Sequence, residues 1–307
     1  MVFVHMQSSR KRFAQSGASI LNWPMIVVAL LVISPIALGV HAYMLDVRHI
    51  PYPQRDGVPI WAKYINEVGS AAAYIIFCSL ARDRLSSRFF RRLLVVAAIY
   101  CGLRATLRLF FINSYLTGAW VYQGLTSSVR IIEFAIIVTV ILLATPFLRG
   151  WRSRLIGGLA IAAIATFAIK PAMALMFAPA FHALSALDFP EFRLPPYGFQ
   201  DNLVIYATYA ETTVSCFAIA YLSWPALSDR LWVRMVQFAV LIMFMKQSFI
   251  PTFLYSPFEP LPWPQAALSE SQFALETLAL AVMTALIWPF CQRRNAAGDA
   301  AQELHKR

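Results

Sequence analysis

Long apolar runs alternate with short polar segments along the whole chain. A bilayer core of ~30 Å needs ~20 apolar residues in helical form, and eight runs meet that length. They cover residues 23–45, 60–80, 92–113, 119–147, 155–183, 202–224, 231–254 and 266–290. This pattern predicts an all-α polytopic membrane protein with about eight transmembrane helices.

Composition excludes two other classes of protein. Hydrophobic residues make up 59% of the chain and charged residues 13%, against ~45–50% apolar residues in ordinary soluble domains. An aromatic content of 14% is also too high for a disordered chain. A net charge of +11 is typical of proteins that bind nucleic acid. Here the basic residues lie between the apolar runs, so membrane lipids rather than nucleic acid are the expected partner.

The basic residues outside the runs are distributed unevenly between the two predicted sides. One side carries 17 Lys and Arg, and the other carries Arg48, Arg55 and Arg193. The positive-inside rule therefore predicts that both termini are cytoplasmic, in a bacterial-type inner (plasma) membrane. The first run lacks a small-residue cleavage site after Leu38, which favours a retained anchor over a signal peptide.

The two halves of the chain resemble each other. Shifting the sequence by 143 residues aligns Leu125, Ser128, Glu133, Leu143, Pro146 and Phe147 with Leu268, Ser271, Glu276, Leu286, Pro289 and Phe290. The five-residue pattern Arg48-x-x-Pro51-Tyr52 recurs as Arg193-x-x-Pro196-Tyr197. We expect a four-helix unit at 23–150 and another at 151–292, between cytoplasmic tails at 1–22 and 293–307. Because each unit has an even number of spans, the repeat would be parallel, with its axis along the membrane normal.

Three segments on the predicted outer side are rich in proline, at 46–60, 188–201 and 251–264. Proline fixes φ and disfavours helix, so these loops are expected to form ordered caps over the outer mouth. Ordinary reverse turns are the alternative. Within the fifth run, Gly157, Gly158 and nearby alanines predict a face that packs closely on another helix.

Ionisable residues lie inside the apolar runs. Each is unfavourable by ~2.5–3.5 kcal/mol at the helix centre unless it is paired, hydrated or functional. The acids are Glu67, Glu133, Glu211 and Glu276, and the bases are Arg104, Arg108, Arg130, Lys170 and Lys246. At 1.5 Å per residue they fall in the outer half or near the midplane, which predicts a polar cavity opening outward. The alternative is that they form ion pairs that fix helix contacts.

The leading functional hypothesis is a transporter or flippase-like carrier for a small anionic or lipid-like substrate. The acidic group would be met by Arg104, Arg108, Arg130 and Lys246, and the same substrate site would include Lys170, Glu133 and Glu276. The acids would balance charge or couple to protons.

Two alternatives remain open. The chain could be an intramembrane enzyme of the cyclase or isomerase type, acting on an isoprenoid or lipid, with Glu67 and Glu211 as acid and base. It could also be a non-catalytic subunit of a membrane complex. No motif for a metal, a nucleotide or another cofactor occurs, so none is predicted.

Overall fold

The computed structural model describes residues 20–187 and 198–293. Within these ranges the backbone is almost entirely helical, as the apolar pattern predicts. The α-helices in chain order are α1 (Trp23–Ala42), α2 (Ile60–Leu80), α3 (Phe89–Leu103), α4 (Thr106–Thr117), α5 (Trp120–Ala144), α6 (Trp151–Ile164), α7 (Lys170–Leu187), α8 (Phe199–Thr208), α9 (Ala210–Ser223), α10 (Leu231–Met245), α11 (Phe249–Leu254) and α12 (Trp263–Cys291). The predicted tails and the Arg193-x-x-Pro196-Tyr197 pattern lie mainly or wholly outside the described residues.

Five segments of the described chain are long and apolar enough to cross a membrane. They are Trp23–Val47, Trp120–Phe147, Trp151–Ser185, Phe199–Ala226 and Trp263–Cys291, and a bent pair formed by α3 and α4 makes a sixth if it is one span. The eight predicted spans are therefore not confirmed. Helix α2 carries Lys63, Asn66 and Glu67, which lower its hydropathy, and α10 is a shorter apolar helix of 15 residues.

Two helices of equal length stop at the same kind of break. Helix α3 ends at Leu103 and α10 ends at Met245, and each is followed by a C-cap, Arg104 or Lys246. The residue after the C-cap is left-handed in both cases, with φ 55° at Ala105 and φ 57° at Gln247. A left-handed non-glycine residue interrupts the helical hydrogen-bond ladder and is found where the surroundings compensate for its strain. After the breaks the chain continues as α4 and α11, with a 45° bend between α3 and α4.

Helix α6 passes into α7 without a loop. One π-helical turn at Ala165–Ile169 joins them, directly before Lys170 and Pro171. Proline lacks an N–H donor and its ring crowds the carbonyl four residues earlier, so a widened turn at this point relieves the conflict. Pro179 lies further along α7. The chain at Lys170–Pro171 is thus a distortion within one long helix.

The helices pack across the boundary between the two predicted halves. Helix α1 contacts α12 and α9, whereas α6 contacts α2 and α7 contacts α5. Gly158 explains the α6–α2 contact, since a Cβ at that position would lie 3.3 Å from the Cβ of Ala72. The small residues of α6 therefore form the close-packing face that the sequence predicts. Further contacts join α3 to α5 and α9, and α10 to α12 and α2.

The ends of the described chain meet. Strand β1 (Ile20–Leu21) pairs antiparallel with β2 (Gln292–Arg293), and the Asn22 amide donates to the Cys291 carbonyl at 2.9 Å. Helix α1 thus begins, and α12 ends, at the same end of the molecule. The loop at 48–59, which follows α1, lies at the opposite end.

A tightly packed core fills the molecule between its two ends. Tyr74 of α2 stacks on Tyr100 of α3 with ring centroids 4.3 Å apart, and Phe134 of α5 lies 4.8 Å from Tyr100. Both tyrosines are almost completely buried. Because Tyr100 lies one helical turn before Arg104, this core closes the space directly below the break in α3.

Candidate functional site

A polar cavity lies on the side of the breaks that faces the loop at 48–59. Its volume is about 380 Å³, and it is lined by Arg55, Asp56, Lys63, Asn66, Arg104, Lys246, Gln247 and Tyr255. Four of these side chains are cationic and one is anionic. The residues come from the loop at 48–59, from α2, from both breaks and from the segment after α11, so the cavity joins the two halves of the chain.

The two breaks meet at the floor of the cavity. The Arg104 guanidinium donates to Gln247 Oε1 at 2.5 Å, and Asn66 Nδ2 donates to the same oxygen at 3.3 Å. Arg104 also donates to Ser70 Oγ at 3.2 Å and to the Tyr100 hydroxyl at 3.4 Å. These bonds hold one left-handed segment against the other and so account for the strained conformation of Gln247.

The floor has more hydrogen-bond donors than acceptors. Arg104 Nε is inaccessible to solvent and has no hydrogen-bond partner within the described residues, whereas the Gln247 amide lies close to the Glu67 carboxylate. Lys63 is exposed at the cavity wall and forms no ion pair with any other residue that the structure describes. An unsatisfied buried donor is unfavourable by ~1–3 kcal/mol, so the floor of the cavity is short of acceptors.

Lys246 lies between the cavity and a buried carboxylate. Its ammonium donates to Glu276 Oε1 at 2.7 Å, and the Tyr209 hydroxyl donates to the same oxygen at 2.8 Å. Two cations lie over the Tyr209 ring: the Arg108 guanidinium at 5.0 Å and the Lys246 ammonium at 5.5 Å from the ring centroid. Such cation–π contacts are stronger when water is excluded. His41 contributes a further titratable group near Glu276.

Glu67 and Glu211, the acid and base of the enzyme hypothesis, have separate partners. Glu67 forms an ion pair with Lys170 of α7. Glu211 accepts hydrogen bonds from the backbone amides of Leu107 at 3.2 Å and Arg108 at 2.6 Å. These are the first-turn amides of α4, which have no partner within the helix. Glu211 therefore caps the helix that begins at the break.

The remaining predicted site residues lie away from the cavity wall. Arg130 is exposed on α5 and Glu133 is half-buried on the same helix. Arg108 is half-buried against Tyr209, and Lys170 is paired with Glu67. Of the nine predicted residues, Arg104 and Lys246 line the cavity.

The loop at 48–59 covers one side of the cavity mouth. Arg55 makes two hydrogen bonds to the fully buried Glu270, at 2.8 and 2.5 Å, and lies over the rings of Tyr255 and Phe273. The Pro51 carbonyl accepts from Ser269 and Gln272 of α12, and Tyr52 pairs with His41 at 3.0 Å. The first proline-rich loop is thus fixed to α12.

Glu259 lies close to this contact. Both of its carboxylate oxygens are buried, and neither has a hydrogen-bond partner of normal geometry in the described chain. Burial raises the pKa of Glu259, the negative charge of Glu270 raises it further, and the Gln54 backbone and Arg55 oppose the shift. The physical cause is that an unpaired carboxylate is poorly solvated at this position.

Several lining residues were not predicted from the sequence as site residues: Arg55, Asp56, Lys63, Asn66, Gln247 and Tyr255. Lys63 and Asn66 lie on the same polar face of α2 as Glu67, and this spacing is the sequence feature that could have identified them as site residues. Within residues 20–187 and 198–293, no group of three or more His, Cys, Asp or Glu side chains could hold a metal ion. Comparison of the chain with protein families, with curated proteins and with solved structures gave no match.

Proposed function

We propose that the chain is a multi-pass membrane protein that binds a small polar anion in the cavity above Arg104 and Gln247, as part of a carrier. The observation that carries this proposal is the lining of the cavity, in which four side chains are cationic and one, Asp56, is anionic. A carboxylate, sulfate or phosphate group offers several acceptor lone pairs and a negative charge, and charge-assisted hydrogen bonds are stronger than neutral ones.

The size and lining of the cavity support a polar guest. A volume of about 380 Å³ falls at the small end of the ~300–1,000 Å³ typical of small-molecule sites. Its lining side chains are charged, amide or phenolic, and none is aliphatic. A lipid-like guest would need apolar wall for its chain, so the lining favours a small hydrophilic anion.

The proposed setting is an inner membrane with both termini on the cytoplasmic side. The five or six candidate spans are compatible with a membrane protein, and the basic loops at 81–92, 149–154 and 229–234 lie toward the end where β1 and β2 pair. Under the positive-inside rule the cavity, which lies toward the other end, would open to the outside.

A parallel repeat of two four-helix units is part of the same proposal. Helices α3 and α10 are displaced by 142 residues, have equal length and end at equivalent breaks. The helix contacts of one half correspond to those of the other when equivalent helices are exchanged. The equivalent helices are α3 and α10, α4 and α11, α5 and α12, α2 and the pair α8 and α9, and α1 and the pair α6 and α7. The anion site would then lie where the two units meet.

The proposal is tested by anion-dependent stabilisation of the purified protein. A ligand that binds only the folded state stabilises it by mass action, so sodium sulfate should raise the apparent Tm by several degrees relative to sodium chloride of equal ionic strength. Arg104→Gln and Lys63→Gln should each reduce that increase by more than half. Arg152→Gln removes one charge from the exposed start of α6 and serves as the matched control.

Equal Tm values in sulfate and chloride would contradict the proposal. So would an undiminished sulfate effect in both cavity variants, since the stabilising anion would then bind elsewhere. Isothermal titration of sulfate into the same proteins gives the dissociation constants directly.

A further inference from the structure

Lys246 touches two different environments. Its side chain lines the cavity, and its ammonium forms the 2.7 Å ion pair with Glu276. The exposed fraction is 12% for Lys246 and 2% for Glu276. An anion that enters the cavity and a carboxylate that is sealed from water therefore compete for the same ammonium group.

The surroundings of Glu276 determine what happens when it loses that partner. The titratable or charged groups that face it are His41 from α1, Arg108 from α4, Tyr209 from the junction of α8 and α9, and Lys246 from α10. Helix α11, which also packs on α12, has no titratable side chain.

None of these groups replaces Lys246 as a charged hydrogen-bond donor. Within the described chain Arg108 lies over the Tyr209 ring and forms no hydrogen bond to Glu276. His41 Nε2 pairs with Tyr52, and Tyr209 donates a neutral hydroxyl. Withdrawal of the Lys246 ammonium would leave a buried carboxylate with one neutral donor, which is strongly unfavourable for the charged form.

We infer, on the basis of the proposed anion site, that the anion binds together with a proton and that Glu276 is the residue that accepts the proton. The anion draws the Lys246 ammonium toward the cavity, and the Glu276 carboxylate becomes a neutral carboxyl group by taking up one proton from the bulk solution, in which a hydronium ion becomes water. Lys246 keeps its three ammonium protons, and no covalent bond other than the new O–H bond is formed. A carrier built in this way would move anion and proton in the same direction.

The measurement is the pH dependence of sulfate binding to the purified full-length protein. Sulfate is suitable because its charge is constant between pH 6 and pH 8, so any linked proton belongs to the protein. Uptake of one proton weakens binding by up to about tenfold for each pH unit. We expect the dissociation constant for sulfate to rise by at least about threefold from pH 6 to pH 8, with uptake of protons from a weakly buffered solution on mixing.

Glu276→Gln separates the proposed proton acceptor from other titrating groups. Glutamine is neutral at every pH and leaves Lys246 without an ion-pair partner, so this variant should bind sulfate more tightly than the wild type and with less than twofold change between pH 6 and pH 8. Asp229→Asn is the matched control, because it removes one carboxylate from the distant start of α10, where Asp229 is almost fully exposed. His41→Gln tests the neighbouring imidazole and should keep the wild-type pH dependence.

The outcomes distinguish this inference from the function on which it rests. Absence of sulfate binding to the wild type at any pH would overturn the proposed function and the inference together. Sulfate binding that changes by less than about threefold over this pH range, without proton uptake, would overturn the inference alone. A pH dependence of sulfate binding that persists in Glu276→Gln and disappears in His41→Gln would assign the proton to His41 and would likewise overturn the inference.

Discussion

Replacement of Glu211 tests whether this carboxylate is a structural cap or a chemical group of the site. Glu211 is half-buried, and both of its oxygens accept from the first-turn amides of α4. The interpretation as a cap predicts that Glu211→Gln lowers stability and leaves sulfate affinity within twofold of the wild type. A role as acid or base predicts the reverse pattern.

The size of the effect follows from the contacts that are lost. Capping side chains contribute ~0.5–2 kcal/mol, and a negative charge in a partly buried position at a helix N-terminus contributes up to ~2 kcal/mol. Glutamine keeps one acceptor oxygen but loses the charge, so Glu211→Gln should be destabilising by about 1 kcal/mol. Glu211→Ala removes both acceptors and should be destabilising by about 2 kcal/mol.

Thermal unfolding in detergent, followed by circular dichroism, measures this prediction. For a chain of this size ~1 kcal/mol corresponds to roughly 2–4 °C in Tm. We expect Tm to fall in the order wild type, Glu211→Gln, Glu211→Ala. An unchanged Tm in both variants, combined with loss of sulfate binding, would refute the assignment of Glu211 as a cap.

Three further predictions concern other contacts. Lys170→Met removes the ion-pair partner of Glu67 and should be destabilising by about 1–2 kcal/mol, since solvent screens a lysine that is more than one-third exposed. Glu67→Gln in the same chain should restore most of the lost Tm, and a purely additive double variant would contradict the pairing. The pKa of Glu259 is raised in the folded protein, so folding favours its protonated form. Its contribution to the free energy of unfolding is therefore fully present below the ordinary pKa of 4.5 and is lost as the pH rises through the raised pKa. Glu259→Gln should therefore raise Tm at neutral pH and lose that advantage below pH 4.5, and a pH-independent difference would count against the shift. Ser34 and Thr213 are in hydrogen-bond contact at 2.8 Å between α1 and α9, so cysteines at both positions should form a disulfide on mild oxidation, and persistence of both thiols would show that these helices are not in contact.

The helical architecture follows from the sequence because apolar runs of ~20 residues have few alternatives in a membrane protein. The starts of α2, α5 and α10 agree with the predicted runs within one residue. The breaks after Arg104 and Lys246 were not predicted, since neither contains glycine or proline. Gln247 adopts its left-handed conformation where its side chain bonds to Arg104 and Asn66, and those contacts join residues 143 and 181 positions apart.

The hydrophobic pattern also could not predict which helices are in contact. Hydrophobic periodicity shows that a helix is buried but not which neighbour buries it. The close-packing face at Gly158 was identifiable from its small residues, whereas nothing in the sequence marks Ala72 of α2 as its partner. For the same reason, the sequence pattern could not predict that α1 and α6 each pack on helices of the opposite half.

The candidate site was only partly predictable from the sequence. Arg104 and Lys246 stand out because a charge within an apolar run needs an explanation. Arg55 appears in the sequence as one more basic residue in a proline-rich loop, and its place in the cavity depends on its contact with Glu270, 215 residues away. The partner of Glu276 was also undetermined, because several bases lay at similar depth.

The central claim is that a positively charged cavity connects the solvent with the break at Gln247, and thiol labelling tests it most directly. Asn66 lines the cavity, whereas Ala73, two turns further along α2, is buried in the core. In a chain whose four cysteines are replaced by alanine, Asn66→Cys should react with an anionic methanethiosulfonate about tenfold faster than with a cationic one, after correction for their rates with a free thiol. Ala73→Cys should not react. Equal rates for the two reagents at Asn66→Cys, or no reaction there, would contradict the account.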